Sequence, residues 1–122
     1  MFIACQMPTH PYISGQLLFN NSIVVLNDFF RGSSIHHEIR HSSHFQDGIY
    51  LRLSTDTGAG LTFEKTGADE FLIEGEANTQ NDLEKLAALV SSTLTKQRLK
   101  HRLELYSTDD NEFSYFHYNW AK

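Results

Sequence analysis

Three short runs in the middle of the chain constrain its fold more than any other feature. Ile49-Tyr50-Leu51-Arg52-Leu53-Ser54, Leu61-Thr62-Phe63-Glu64 and the stretch from Glu70 to Glu76 alternate apolar with more polar side chains. A period of two is the mark of a half-buried β-strand. Between the runs stand only the turn residues Thr55 to Gly60 and the turn at Gly67-Ala68-Asp69. Parallel neighbours need a crossover of about a dozen residues or more, so strands this close must run antiparallel. The sequence therefore predicts a three-stranded meander.

The next segment changes period. Leu83, Leu86, Ala87, Val90 and Leu94 recur at helical spacing. Thr79 or Asn81 can cap the start, Asp82 and Glu84 suit the positive end of the dipole, and Lys96, Arg98 and Lys100 suit the other end. One long helix over about residues 80–98 is predicted. Arg102–Ser107 and Glu112–Trp120 flank Thr108-Asp109-Asp110-Asn111 and read as a C-terminal hairpin. Ahead of the meander, Phe2–Met7 reads as a strand ended by Pro8. Gln16–Phe19 and Ile23–Leu26 flank Asn20-Asn21-Ser22 and read as an N-terminal hairpin. The expected class is α+β: an antiparallel β-sheet (N-terminal hairpin, three-stranded meander, C-terminal hairpin) with one long α-helix packed on one face. At 122 residues, 40% hydrophobic and 20% charged, the chain has the size and composition of a single globular domain over 1–122.

Composition also bears on partners. A net charge of −5 with neutral histidines argues against nucleic acid or an anionic membrane surface as the main partner, because both call for basic surface. Cys5 is the only cysteine, so no intrachain disulfide forms and no CxxC pair is present. A reducing, cytoplasmic location is the simplest fit. The first residues carry no basic and apolar regions of signal-peptide type, and apolar runs such as Ile23–Leu26 are too short to cross a bilayer.

One motif carries chemistry. His37-Glu38-Ile39-Arg40-His41 matches H-E-x-x-H. On a helix His37 and His41 would share a face as zinc ligands, and Glu38 could act as general base on a metal-bound water. That arrangement defines the alternative reading, a small zinc-dependent hydrolase. The surroundings do not extend it. Four histidines lie between positions 36 and 44, which makes a local match easy. His44 would stand about 10.5 Å along a helix from His37, too far to complete one metal site. Glu64, Glu70, Glu74 and Glu76 are possible third ligands without distinguishing spacing. Residues 33–44 themselves read either way: a helix capped by Ser33 or Ser34, or a strand with Ile35, His37, Ile39 and His41 on one face. The clustered imidazoles could also sense pH.

The last strand is the second feature. Tyr115, Phe116, Tyr118 and Trp120 make it aromatic on both faces. At a sheet edge, one set would be left for a partner, and Tyr and Trp are favoured residues of binding hot spots. The acidic positions Asp69, Glu70, Glu74, Glu76, Asp109, Asp110 and Glu112 could face a basic partner, and the run from Lys96 to Arg102 could touch phosphate. The leading expectation is a non-enzymatic cytosolic protein-binding module (an inhibitor, immunity-type protein, chaperone or adaptor) without a cofactor. It would act through Tyr115, Phe116, Tyr118 and Trp120 and an acidic surface, and would form a homodimer.

Overall fold

A computed structural model describes residues 9–41 and 48–120. The expected strand Phe2–Met7, with Cys5, lies outside the described residues, as does His44. Among the described residues, seven strands form one antiparallel sheet: β1 (Tyr12–Leu18), β2 (His36–His41), β3 (Ile49–Ser54), β4 (Gly60–Lys65), β5 (Glu70–Glu76), β6 (His101–Tyr106) and β7 (Glu112–Tyr118). Their order across the sheet is β2-β3-β4-β5-β1-β6-β7. Helix α1 covers Ile23–Asp28 and helix α2 covers Gln80–Lys96. The α+β class, the meander β3-β4-β5, the long helix and the C-terminal hairpin β6-β7 are those the sequence indicates.

The N-terminal part differs in detail. Ile23–Leu26, expected as the second arm of a hairpin, begins α1. Ser22 caps it: its Oγ accepts from the Val25 backbone N–H at 3.3 Å. The β-branched run Ile23-Val24-Val25 favours a strand on propensity alone. The cap and the burial of Ile23 and Leu26 on one helical face override that preference. Relieved of this partner, β1 moves to the sheet's interior and pairs with β5 and β6, Gly15 standing opposite Ile73 on one side and Leu103 on the other. A Cβ at Gly15 would lie 2.3 Å from the Arg102 carbonyl oxygen, so this close approach requires glycine. Strands β5 and β6 consequently run parallel to each other across β1, and α2 is the crossover between them.

Both helices lie on the same side. Helix α2 buries Leu83, Leu86, Ala87, Val90 and Leu94 against β1, β6 and β7, while α1 packs on β2 and β3. Beneath them lie Ile13, Leu17, Leu51, Leu53, Leu61, Phe63, Phe71, Ile73, Leu103 and Leu105, all buried. Each such side chain stabilises by roughly 1.5–3 kcal/mol relative to exposure. His101 sits in this layer with 0% exposure. Its Nδ1–H donates to the Leu99 carbonyl at 2.8 Å, which leaves Nε2 to accept from the Ser91 hydroxyl on α2 at 2.7 Å. Burial pushes the His101 pKa down, against the opposing effect of the Leu99 bond.

No described element covers the opposite face of the sheet. Strand register places Tyr12, Ser14, Gln16 and Leu18 there from β1, Arg52 from β3, Thr62 and Glu64 from β4, and Glu70, Leu72, Glu74 and Glu76 from β5. Arg102, Glu104 and Tyr106 of β6 continue the same face.

Candidate functional site

The H-E-x-x-H segment is strand β2 at one edge of the sheet, not a helix. Period-two alternation sends His37, Ile39 and His41 toward the helices' side and His36, Glu38 and Arg40 to the open face. Glu38 is thus on the opposite face from both proposed ligands. Along an extended chain His37 and His41 are roughly 13 Å apart. His37, Glu38 and Arg40 have local partners instead. The His37 Nδ1 is 2.7 Å from Asn27 Oδ1, and Glu38 accepts from Arg40 at 3.2 Å with His36 3.8 Å away. Arg40, by its hydrogen bond first and its charge second, holds the Glu38 carboxyl below the usual range, which weakens it as a base. Glu64, Glu70, Glu74 and Glu76 project from the open face, away from His37 and His41. These residues do not fit a zincin centre. No group of three or more potential ligands stands together among the described residues.

The histidines are dispersed as well. His36 is exposed on one face, His37 lies on the other, and His101 is in the core. The basic run ends on β6, where Arg102 is committed to neighbours within the sheet.

The aromatic strand β7 is the other edge. Its register divides the expected binding residues. Phe116 stands opposite Leu103 and packs on the core, and Tyr118 stands opposite the buried His101. Tyr115, opposite Glu104, lies on the open face, stacked on His117 with ring centroids 5.1 Å apart. Two local irregularities break simple alternation. A bulge between Leu105 and Tyr106 leaves Phe113 packed on the core, whereas alternation would pair it with Tyr115. Asn119 has φ +56° and turns the chain after β7. Trp120 then meets two cations: the Lys100 ammonium and the Arg102 guanidinium each lie 5.4 Å from its ring.

Around this corner a polar network knits β5, β1 and β6. Gln16 donates to Glu70 at 2.7 Å and accepts from Arg102 at 2.6 and 3.0 Å. Arg102 also pairs with Glu104, which accepts from the Tyr106 hydroxyl at 2.8 Å. That bond, joined by desolvation and the carboxylate charge, pushes the Tyr106 pKa up to about 12. Tyr106 stacks on Tyr12 at 5.1 Å, and the Tyr12 hydroxyl donates to Asp110 at 2.6 Å. The sequence reading missed Tyr12, Gln16, Arg102 and Tyr106 as a group. Their signal was the alternation of β1 and β6, readable only once the register was known.

Beyond Tyr12 the open face holds a cavity of about 410 Å³ whose walls include Arg52, Thr62, Glu74 and Glu76. A Cβ at Gly60 would lie 2.2 Å from an Arg52 nitrogen, so the guanidinium rests directly over that glycine.

No protein-family model matches the chain, and no curated protein matches it significantly.

Proposed function

We propose that the protein is a non-enzymatic, cytosolic protein-binding module, of the inhibitor, immunity-type, chaperone or adaptor kind. Its partner seats on the open face at the β1-β6-β7 end and along the β7 edge. One observation carries this reading: among the described residues the sheet is covered on one side only, and aromatic rings run along β6 on the uncovered side, from the Tyr12–Tyr106 stack at one end, past Tyr115, to Trp120 over Arg102 at the other. Tyr, Trp and Arg dominate binding hot spots. Here the rings are already held by stacking and hydrogen bonds, which lowers the ordering cost of association. The cytosolic assignment rests on the lone Cys5. The acidic balance favours a protein over nucleic acid or an anionic membrane. Tyr115→Ala and Trp120→Ala, prepared as folded proteins by circular dichroism, should each lose a partner that the unaltered chain captures. Retention of that partner by both variants defeats the reading.

The β7 edge favours a second reading of the partner, a second copy of the chain. A free edge strand offers unpaired backbone groups, and two-fold pairing is the commonest closed assembly. Light scattering across a dilution series should give a dimer mass that dissociates on dilution. A monomer mass at tens of micromolar defeats it.

A further inference from the structure

Charge is distributed unevenly between the two sides of the sheet. On the open face the strands carry seven glutamates (Glu38, Glu64, Glu70, Glu74, Glu76, Glu104 and Glu112) against three arginines (Arg40, Arg52 and Arg102). This single surface therefore accounts for −4 of the chain's net −5. Part of the acid is consumed internally. Glu38 is paired with Arg40, Glu104 with Arg102, and Glu70 accepts from Gln16. Glu64, Glu74 and Glu76 have no ion pair among the described residues. They project from adjacent strands: Thr62 stands opposite Glu74, Gly60 opposite Glu76 and Glu64 opposite Leu72. Glu74 and Glu76 are neighbours on one face, roughly 7 Å apart along the strand, and both are exposed. Like charges so placed repel. Among the described residues Arg52 is the strand cation beside them: it rests over Gly60, opposite Glu76, and shares the cavity wall with Glu74 and Glu76 without forming an ion pair with either.

We infer that the acidic half of the open face docks a basic polypeptide, with Glu64, Glu74 and Glu76 as its ion partners. The inference rests on the interaction-face reading above and names the chemistry of the partner. An extended chain with cationic residues at every second position repeats at about 7 Å, the spacing of Glu74 and Glu76. Its ammonium or guanidinium groups would remove a repulsion present in the free protein. The cavity between Tyr12, Arg52 and the two glutamates has room for a long side chain, with the Tyr12 ring as an apolar wall for its stem. An anionic partner would meet the same three carboxylates and be repelled.

The test titrates the full chain, labelled with nitrogen-15, with a short oligolysine peptide at low salt and follows the amide shifts. The largest shifts are expected on β4 and β5, and the affinity should fall as salt rises. The triple variant Glu64→Gln, Glu74→Gln, Glu76→Gln should weaken binding about tenfold or more. A control losing the same charge elsewhere (Asp56→Asn, Asp82→Asn, Glu84→Gln) should change it less than about twofold. Shifts spread equally over α2, or equal weakening by the control, would overturn the proposal, because binding would then follow net charge and not this surface. Partner capture separates the two readings. Loss of a captured partner in Trp120→Ala, with oligolysine binding indifferent to the triple variant, keeps the interaction face and discards the basic partner. Oligolysine binding localised to β4 and β5, with no partner lost in Trp120→Ala, does the reverse.

Discussion

Strand β2 ends the sheet with His36, Glu38 and Arg40 on its open face, the last two in an ion pair; β7 ends it with Tyr115 stacked on His117. Both are edges of the same sheet among the described residues. Charged side chains on an edge discourage a second chain from adding to it, because pairing would strip their water. Strand β2 has that protection. Strand β7 has no lysine, arginine or proline; its one carboxylate, Glu112, stands at its start beside a bulge, and the chain turns at Asn119. Its aromatic residues are also divided by role, Phe113 and Phe116 facing the core and Tyr115 and Trp120 facing outward. One edge carries an ion pair on its open face and the other carries aromatic rings.

The largest expected effect falls on the two sides of β7. Phe116→Ala removes a ring that packs on the core opposite Leu103. It should destabilise by roughly 2–3 kcal/mol, below the full cost of a wholly buried phenylalanine. Tyr115→Ala should cost less than about 1 kcal/mol. Urea unfolding of the two variants measures both. Equal losses would mean that β7 has no inward and outward sides.

The second effect separates His101, which lies under the β7 end, from the histidines of β2. Its folded-state pKa is lowered by burial. The unfolded chain therefore takes up a proton at higher pH than the folded chain does. The stability held by the neutral ring is complete above the unfolded value near 6.5 and is lost as pH falls toward the lower folded value. One proton can give a slope of at most about 1.4 kcal/mol per pH unit. His117 on β7 acts in the same direction as burial, disfavouring a second positive charge, while the bond to the Leu99 carbonyl opposes it. Unfolding followed between pH 7 and 5 should show the slope in the unaltered chain and in His36→Asn, and a flatter profile in His101→Gln. An unchanged profile in His101→Gln would assign the slope to other groups.

How far the sequence carried the fold can be judged element by element. The meander was legible because β3, β4 and β5 are half-buried, so the pleat writes itself into the side chains. Helix α2 was legible because its stripe runs for 17 residues and carries a cap at Thr79. Helix α1 was not, since six residues leave too few repeats to set a period against three β-branched residues. The two sides of β7 were partly legible. Tyr115 and Trp120 stand outward as an edge strand requires, but Phe116 and Tyr118 do not, because alternation gives two sides without saying which one the helix covers. Tyr12 and Tyr106 lie far apart in the chain and meet only through the β1-β6 register. The H-E-x-x-H pattern misled for the same reason: letters at helical spacing carry zinc chemistry only on a helix, and an isoleucine-containing edge segment took the strand.

A smaller effect is expected at Trp120, where the comparison meets the network. Trp120→Ala deletes contacts with Lys100 and Arg102 at a half-exposed site, so stability should fall by about 0.5–1 kcal/mol. Tryptophan fluorescence sharpens this, because Trp120 is the only tryptophan. Lys100→Ala should shift its emission while leaving the unfolding midpoint nearly unchanged. An emission insensitive to Lys100 would place the ring elsewhere.

The smallest stability effect belongs to the defended edge, and it carries the comparison's other half. Glu38 and Arg40 are exposed on β2, and their pair is screened by water. The Glu38 carboxyl is held low by Arg40, so whatever the pair contributes is present at neutral pH and is lost only as pH falls through the lowered value. Glu38→Thr with Arg40→Thr should leave the urea midpoint within experimental scatter, since threonine suits a strand. What should change is association. With both charges gone, β2 becomes an uncharged edge of six residues, and light scattering should detect larger species than the unaltered chain forms at the same concentration. A further Tyr115→Lys change on β7 should not reverse that growth if it runs through β2. If the double threonine variant instead keeps the unaltered chain's mass, the charges on β2 are not what guards it, and the two edges differ in side chains without differing in purpose.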